Sequence, residues 1–190
     1  MRTFVAIELP PEIKGALARL QEQLKSSGAD VKWVEPENIH LTLKFLGERD
    51  EKKIAKITQI LEETAKNKNP FQIRISSLGA FPKVDFPRVI WVGIDKGDNE
   101  TKEIAEGLEE KIAQIGIPKE ERPFSSHITI GRVRSPVNRQ NLVRDLKNLE
   151  NKLGGQNLEF TVTKTTLFKS TLTPKGPLYE VLKETSLKAT

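Results

Sequence analysis

The chain has 190 residues, of which 30% are charged; 31 Lys and Arg face 26 Asp and Glu, a formal net charge of +5. With no cysteine, disulfides, thiolate nucleophiles and sulfur-ligated zinc sites are excluded. No apolar run approaches the roughly 20 residues that span a bilayer, and MRTFVAIELPPE lacks a signal peptide's apolar stretch, so a soluble, cytoplasmic protein is expected.

Residues 4–9 (FVAIEL) alternate and are rich in β-formers, which predicts a strand. Pro10 and Pro11 end it, and Pro11 suits the first turn of a helix over 12–27, with Ile13, Leu17, Leu20 and Leu24 at helical spacing and Gly28 as its stop. A short strand at 31–34 and a turn at 35–38 lead to a strand over 39–46 that ends at Gly47. A helix over 51–66 puts Ile54, Ile57 and Leu61 on one side, and strands follow at 71–79 and 88–94 around a loop with Pro82 and Pro87.

The order then begins again. A helix is predicted over 99–115 with Gly116 as its stop, then a strand over 125–134 and a helix over 138–152. Strands over 158–168 and 178–183 complete the chain. Gly116 follows Gly28 by 88 residues and Phe160 follows Phe71 by 89. A nearly constant offset marks an internal duplication, with pseudo-repeats of about 3–87 and 88–185 inside one bilobal domain, 1–190. The expected fold class is α+β: two mainly antiparallel sheets, helices on their outer faces, and a central cleft. Whether the terminal strands join one sheet and the middle strands the other is open at this stage.

His40-Leu41-Thr42-Leu43 and His127-Ile128-Thr129-Ile130 share one pattern, lie 87 residues apart and use both histidines of the chain. In a strand, His40 with Thr42, and His127 with Thr129, share one face while the aliphatic residues point to the core. An unperturbed imidazole exists in both protonation states near neutrality. One histidine can therefore remove a proton from a nucleophile while the other gives one to a leaving oxygen. That division suits in-line displacement at phosphorus, with the threonines donating to the non-bridging oxygens. A single such tetrad is commonly a polar pair on an exposed sheet; two equivalent copies argue for function. A two-histidine metal site is the other sharp reading, but neither tetrad holds a carboxylate.

The chain resembles the 2H phosphoesterase superfamily and, within it, the RNA 2′,3′-cyclic phosphodiesterase family (2′-5′ RNA ligase, LigT-like). The resemblance rests on RTFVAIELP at 2–10, HLTLKFLG at 40–47, PFSSHITIGRVR at 123–134, Ser170-Thr171-Leu172, and GPLYE at 176–180. It implies a bilobal fold and metal-independent hydrolysis of RNA 2′,3′-cyclic phosphate ends to 2′-phosphomonoesters. His40 would be the proton donor and His127 the proton acceptor, with Thr42 and Thr129 holding the phosphate. Reversal would join a 5′-hydroxyl as a 2′-5′ RNA ligation. The implied partners are RNA ends with a 2′,3′-cyclic phosphate, tRNA halves among them. No cofactor, no metal and no membrane is expected, and a monomer is the default. The alternatives are a non-catalytic module that binds RNA ends, or a related enzyme acting on another small cyclic or linear phosphodiester.

Three residues are further candidates for substrate binding. Arg132 stands where the family has an arginine. Strict alternation puts Gly131, not Arg132, on the face of His127, and a bulge at Gly131 would bring Arg132 round. Lys44 is in phase with His40 and Thr42 and could reach the cleft, or be merely solvated. Phe45 could stack on a base, though its alternation with Leu41 and Leu43 points to the core. Phe81, Phe124 and Tyr179 are further stacking candidates, and Trp33 and Trp91 read as core or cleft wall. The chain has no Gly-rich phosphate loop that would point to a nucleoside triphosphate.

Overall fold

A computed structural model describes residues 1–188; Ala189 and Thr190, within the expected domain span, lie outside the described residues. In chain order the elements are β1 (Arg2–Glu8), α1 (Pro11–Lys25), β2 (Val31–Trp33), a 3₁₀ turn (Pro36–Asn38), β3 (His40–Glu48), α2 (Glu51–Lys66), β4 (Phe71–Lys83) and β5 (Phe86–Ile94). The second half contains α3 (Asp98–Ala113), β6 (His127–Val133), α4 (Arg139–Leu153), a 3₁₀ turn (Gly154–Gln156), β7 (Leu158–Val162), β8 (Lys164–Thr173) and β9 (Gly176–Ser186). No described helix is long and apolar enough to cross a membrane.

Local chemistry explains the boundaries. Pro11 occupies the first turn of α1, where its missing N–H costs nothing. Asp50 caps α2 by accepting a 2.8 Å bond from the Lys53 amide. Gly28 and Gly116, just beyond α1 and α3, adopt φ of +72° and +92°, a region that side chains resist. The span 158–168, expected as one strand, breaks between Val162 and Lys164 into β7 and β8, which belong to different sheets. The loop expected between the strands 71–79 and 88–94, and the stretch between the expected strands 158–168 and 178–183, are largely the arms of two long hairpins, β4–β5 and β8–β9.

The strands form two sheets, ordered β3-β1-β8-β9 and β2-β6-β5-β4-β7, and all their pairings are antiparallel. The terminal strands β1, β8 and β9 therefore join one sheet with β3, and the middle strands join the other. Helices α2 and α3 pack on the first sheet, α1 and α4 on the second. Each repeat thus sends its first helix to the sheet that carries the other repeat's tetrad. One continuous apolar cluster runs beneath both sheets, from Val5 and Leu41 to Ile128 and Leu142. A second, smaller cluster of Phe4, Ala6 and Phe168, with Tyr179 against it, lies apart from the main core. This explains why β1 is buried on both faces: Val5 and Ile7 join the main core, Phe4 and Ala6 the aromatic cluster.

Candidate active site

The two tetrads sit at the starts of β3 and β6, which pass within 8 Å of each other, Cα to Cα, without pairing. Both histidines are held in the same way. Nδ1 of His40 donates to the Asn38 carbonyl at 2.7 Å, and Nδ1 of His127 to the Ser125 carbonyl at 2.9 Å. A carbonyl only accepts, so the proton of each neutral ring sits on Nδ1 and Nε2 is left unprotonated. The acceptor lies two residues before the histidine in each case, a local geometry that the tetrad spacing reproduces.

The surroundings differ. His40 lies flat on Phe4, with centroids 4.8 Å apart and planes at 26°, and meets the edge of Tyr179 at 5.4 Å. Its Nε2 is bonded by Thr42 Oγ1 at 2.9 Å. Among the described residues His127 and Thr129 make no such bond; His127 meets Phe81 edge-on at 5.1 Å and borders an open pocket of about 290 Å³. Ser77, Trp91, Phe124, Ser126 and Lys102 also line that pocket. Burial pushes the pKa of both imidazoles below the ordinary value, against the raising effect of each carbonyl bond; Lys14 lowers His40 further and Arg132 lowers His127. Burial raises the pKa of the Tyr179 phenol, partly countered by Arg132. Arg132 thus lies near His127 in one sheet and near the tyrosine against His40 in the other, and with β3 and β6 in contact the two tetrads flank one groove.

Each motif strand carries an extra residue at the same place, and β3 carries a second, Leu46, further on. In β3, Thr42 pairs with Ala6 and Lys44 with Val5, which leaves Leu43 over. In β6, Thr129 pairs with Trp91 and Gly131 with Ile90, which leaves Ile130 over. A bulge reverses the alternation beyond it. Arg132 consequently returns to the face of His127 and Thr129, exposed. Phe45, in phase with the core by strict alternation, is instead 62% exposed, its ring 6.3 Å from that of Phe4 on the groove side. Lys44 is turned inward: it is buried, and its Nζ donates to Glu109 on α3 at 2.6 Å. It neither reaches the groove nor lies in solvent, so it leaves the set of substrate contacts.

Phe4 and Phe168 flank His40 although the sequence signalled them only as β-formers; their pairing across β1 and β8 brings them together. Trp91 forms groove wall, lying so close over Gly79 that a Cβ there would stand 2.5 Å from its ring. Among the described residues no group of three His, Asp or Glu could hold a metal ion.

A family model described as LigT like Phosphoesterase matches residues 7–91 and again 92–179. An RNA 2′,3′-cyclic phosphodiesterase of Methanocaldococcus jannaschii is 40% identical over 97% of this chain and 99% of its own length. A crystal structure of a Thermus thermophilus protein superposes with a TM-score of 0.81 at 30% identity, covering 99% of this chain and 98% of the other. E. coli LigT, solved in complex with 3′-AMP, superposes at 0.80 with 25% identity and the same two coverages. Matched twice by one family model and along nearly its whole length by such a relative, the chain belongs to the LigT-like phosphoesterases, the family of the RNA 2′,3′-cyclic phosphodiesterases.

Proposed function

We propose that the protein hydrolyses 2′,3′-cyclic phosphate at RNA ends to a 2′-phosphomonoester, with its two imidazoles as acid and base. Water attacks phosphorus from the His127 side and gives its proton to Nε2 of that ring. The bond to O3′ breaks, and protonated Nε2 of His40 supplies the proton that O3′ needs. The rings end with their protonation states exchanged, and solvent resets them. Thr42 and Thr129 donate to the non-bridging oxygens, and Arg132 offsets the phosphate charge. Phe45 and Tyr179 flank the base of the terminal nucleotide.

The observation that carries this reading is the shared orientation: Nδ1 of each ring lies against a backbone carbonyl, which leaves Nε2 as the nitrogen that can exchange a proton with substrate. The asymmetry supports the assignment of roles. His127 borders the open pocket through which a nucleophile enters, whereas His40 has a hydroxyl on Nε2. Once His40 is protonated, Nε2 no longer accepts from Thr42; its N–H is available to O3′ and the threonine hydrogen is free for phosphate. A 5′-hydroxyl in place of water gives a 2′-5′ linkage by the same steps, with tRNA halves as candidate substrates. The protein acts as a single bilobal domain and a monomer, without a metal. Turnover of an oligoribonucleotide ending in a 2′,3′-cyclic phosphate, in EDTA and with the product's phosphate position identified, tests the reading; binding without turnover would favour the non-catalytic alternative.

A further inference from the structure

We propose that Gln21, on a helix behind the sheet, is a positioning residue that holds the bulge turning Arg132 toward His127. Gln21 is 2% exposed and lies in the apolar stripe of α1 beside Leu17, Leu20 and Leu24. A buried amide there needs partners, because an unsatisfied one costs free energy. Its Nε2 donates to the carbonyl of Val34 at 2.8 Å and to that of Ile130 at 2.9 Å. Ile130 is the extra residue of β6, with no register partner on β5. The Val34 amide donates to the same carbonyl at 3.1 Å. Val34 follows β2, and β2 pairs only with Gly131, Arg132 and Val133, the residues beyond the bulge. Gln21 thus ties the end of β2 and the bulge to one helix. Without the bulge, alternation would turn Arg132 to the core side with Ile128.

The duplicated half repeats the device in other chemistry. Glu109 follows Gln21 by 88 residues, the offset that relates Gly28 to Gly116. Glu109 binds Lys44, the residue immediately after the extra Leu43 of β3. Each of the two matching bulges is therefore held by a polar side chain, buried Gln21 or half-buried Glu109, from the first helix of the opposite repeat. A packing role alone would not select this position twice, on opposite sheets, with unlike partners.

The effect on turnover rests on the proposed activity; the geometry does not. The test combines NMR titration of the two imidazoles, the only two in the chain, with kinetics of Gln21→Met, Arg132→Gln and the double variant. In Gln21→Met the His127 titration should move up toward its position in Arg132→Gln, because the guanidinium has turned away, while His40 stays in place. The kcat/KM should fall at least ~10-fold, and the double variant should be no worse than Arg132→Gln alone. An unmoved His127 titration, or losses that multiply in the double variant, would overturn the proposal. Gln21→Asn keeps an amide too short for both carbonyls and carries the same titration test at smaller amplitude should Gln21→Met not fold. A wild type inactive on cyclic phosphate would sink the functional reading and leave the titration to judge the geometry.

Discussion

Glu109→Ala should destabilise the protein far more than Lys44→Met, although the two substitutions break the same bond. Lys44 is the deeper partner, with its side chain 1% exposed against 16% for Glu109. Without Glu109 the ammonium retains only a 3.5 Å contact with the Pro118 carbonyl. An orphaned buried charge of this kind costs about 3–5 kcal/mol. Lys44→Met leaves a well-filled apolar stem and a carboxylate near solvent that still accepts the Glu120 amide at 2.9 Å. Its cost should be about 1–2 kcal/mol. At about 2–4 °C per kcal/mol for a chain of this size, Glu109→Ala should lower Tm by roughly 6–20 °C. Replacing both partners with apolar residues, as in Lys44→Met with Glu109→Leu, should recover most of that loss. Urea unfolding followed by the fluorescence of Trp33 and Trp91 measures all three. If Glu109→Ala were no costlier than Lys44→Met, the buried pair would not be what fixes the bulge in β3.

Further outcomes follow from the groove. Both histidines are held below their ordinary pKa, so the bell of kcat/KM against pH should be centred on the acid side of 6.5, whereas that of kcat should lie higher because bound phosphate favours the imidazolium. A flat profile from pH 5 to 9, with chemistry limiting, would contradict two-histidine catalysis. The same depressed values mean that the unfolded chain binds these protons first; stability should therefore be fully present above the unfolded pKa and fall as pH drops from about 6.5 toward the folded values, as denaturant titrations at several pH values would show. Gly79→Ala puts a Cβ 2.5 Å from the Trp91 ring, so the indole should tilt at a cost of about 1–3 kcal/mol, with a shift in its emission and a rise in KM.

The sequence made the fold and the tetrads legible because both rest on periodicity. The apolar stripes of the helices, the glycine stops and the 87–89-residue offsets are patterns, and the elements follow them to within a few residues. The bulges were legible only as an option at Gly131, one residue past the extra Ile130, and not at all in β3. Nothing in HLTLKF or HITIGR marks the fourth residue as extra, so alternation sent Lys44 to the groove and Phe45 to the core, and both are reversed. Arg132 stood between two readings for the same reason, and its place depends on a glutamine 111 residues earlier. Phe4 and Phe168 escaped notice because their meeting depends on strand pairing. The break after Val162 was hidden for a similar reason: both pieces have strand composition, and only their partners differ.

The most direct test is turnover in EDTA of an oligoribonucleotide with a 2′,3′-cyclic phosphate, comparing wild type with His40→Ala and His127→Ala. The account predicts a 2′-phosphate product from the wild type and at least ~100-fold slower turnover by each variant. Equal turnover by either variant, or a 3′-phosphate product, would contradict it.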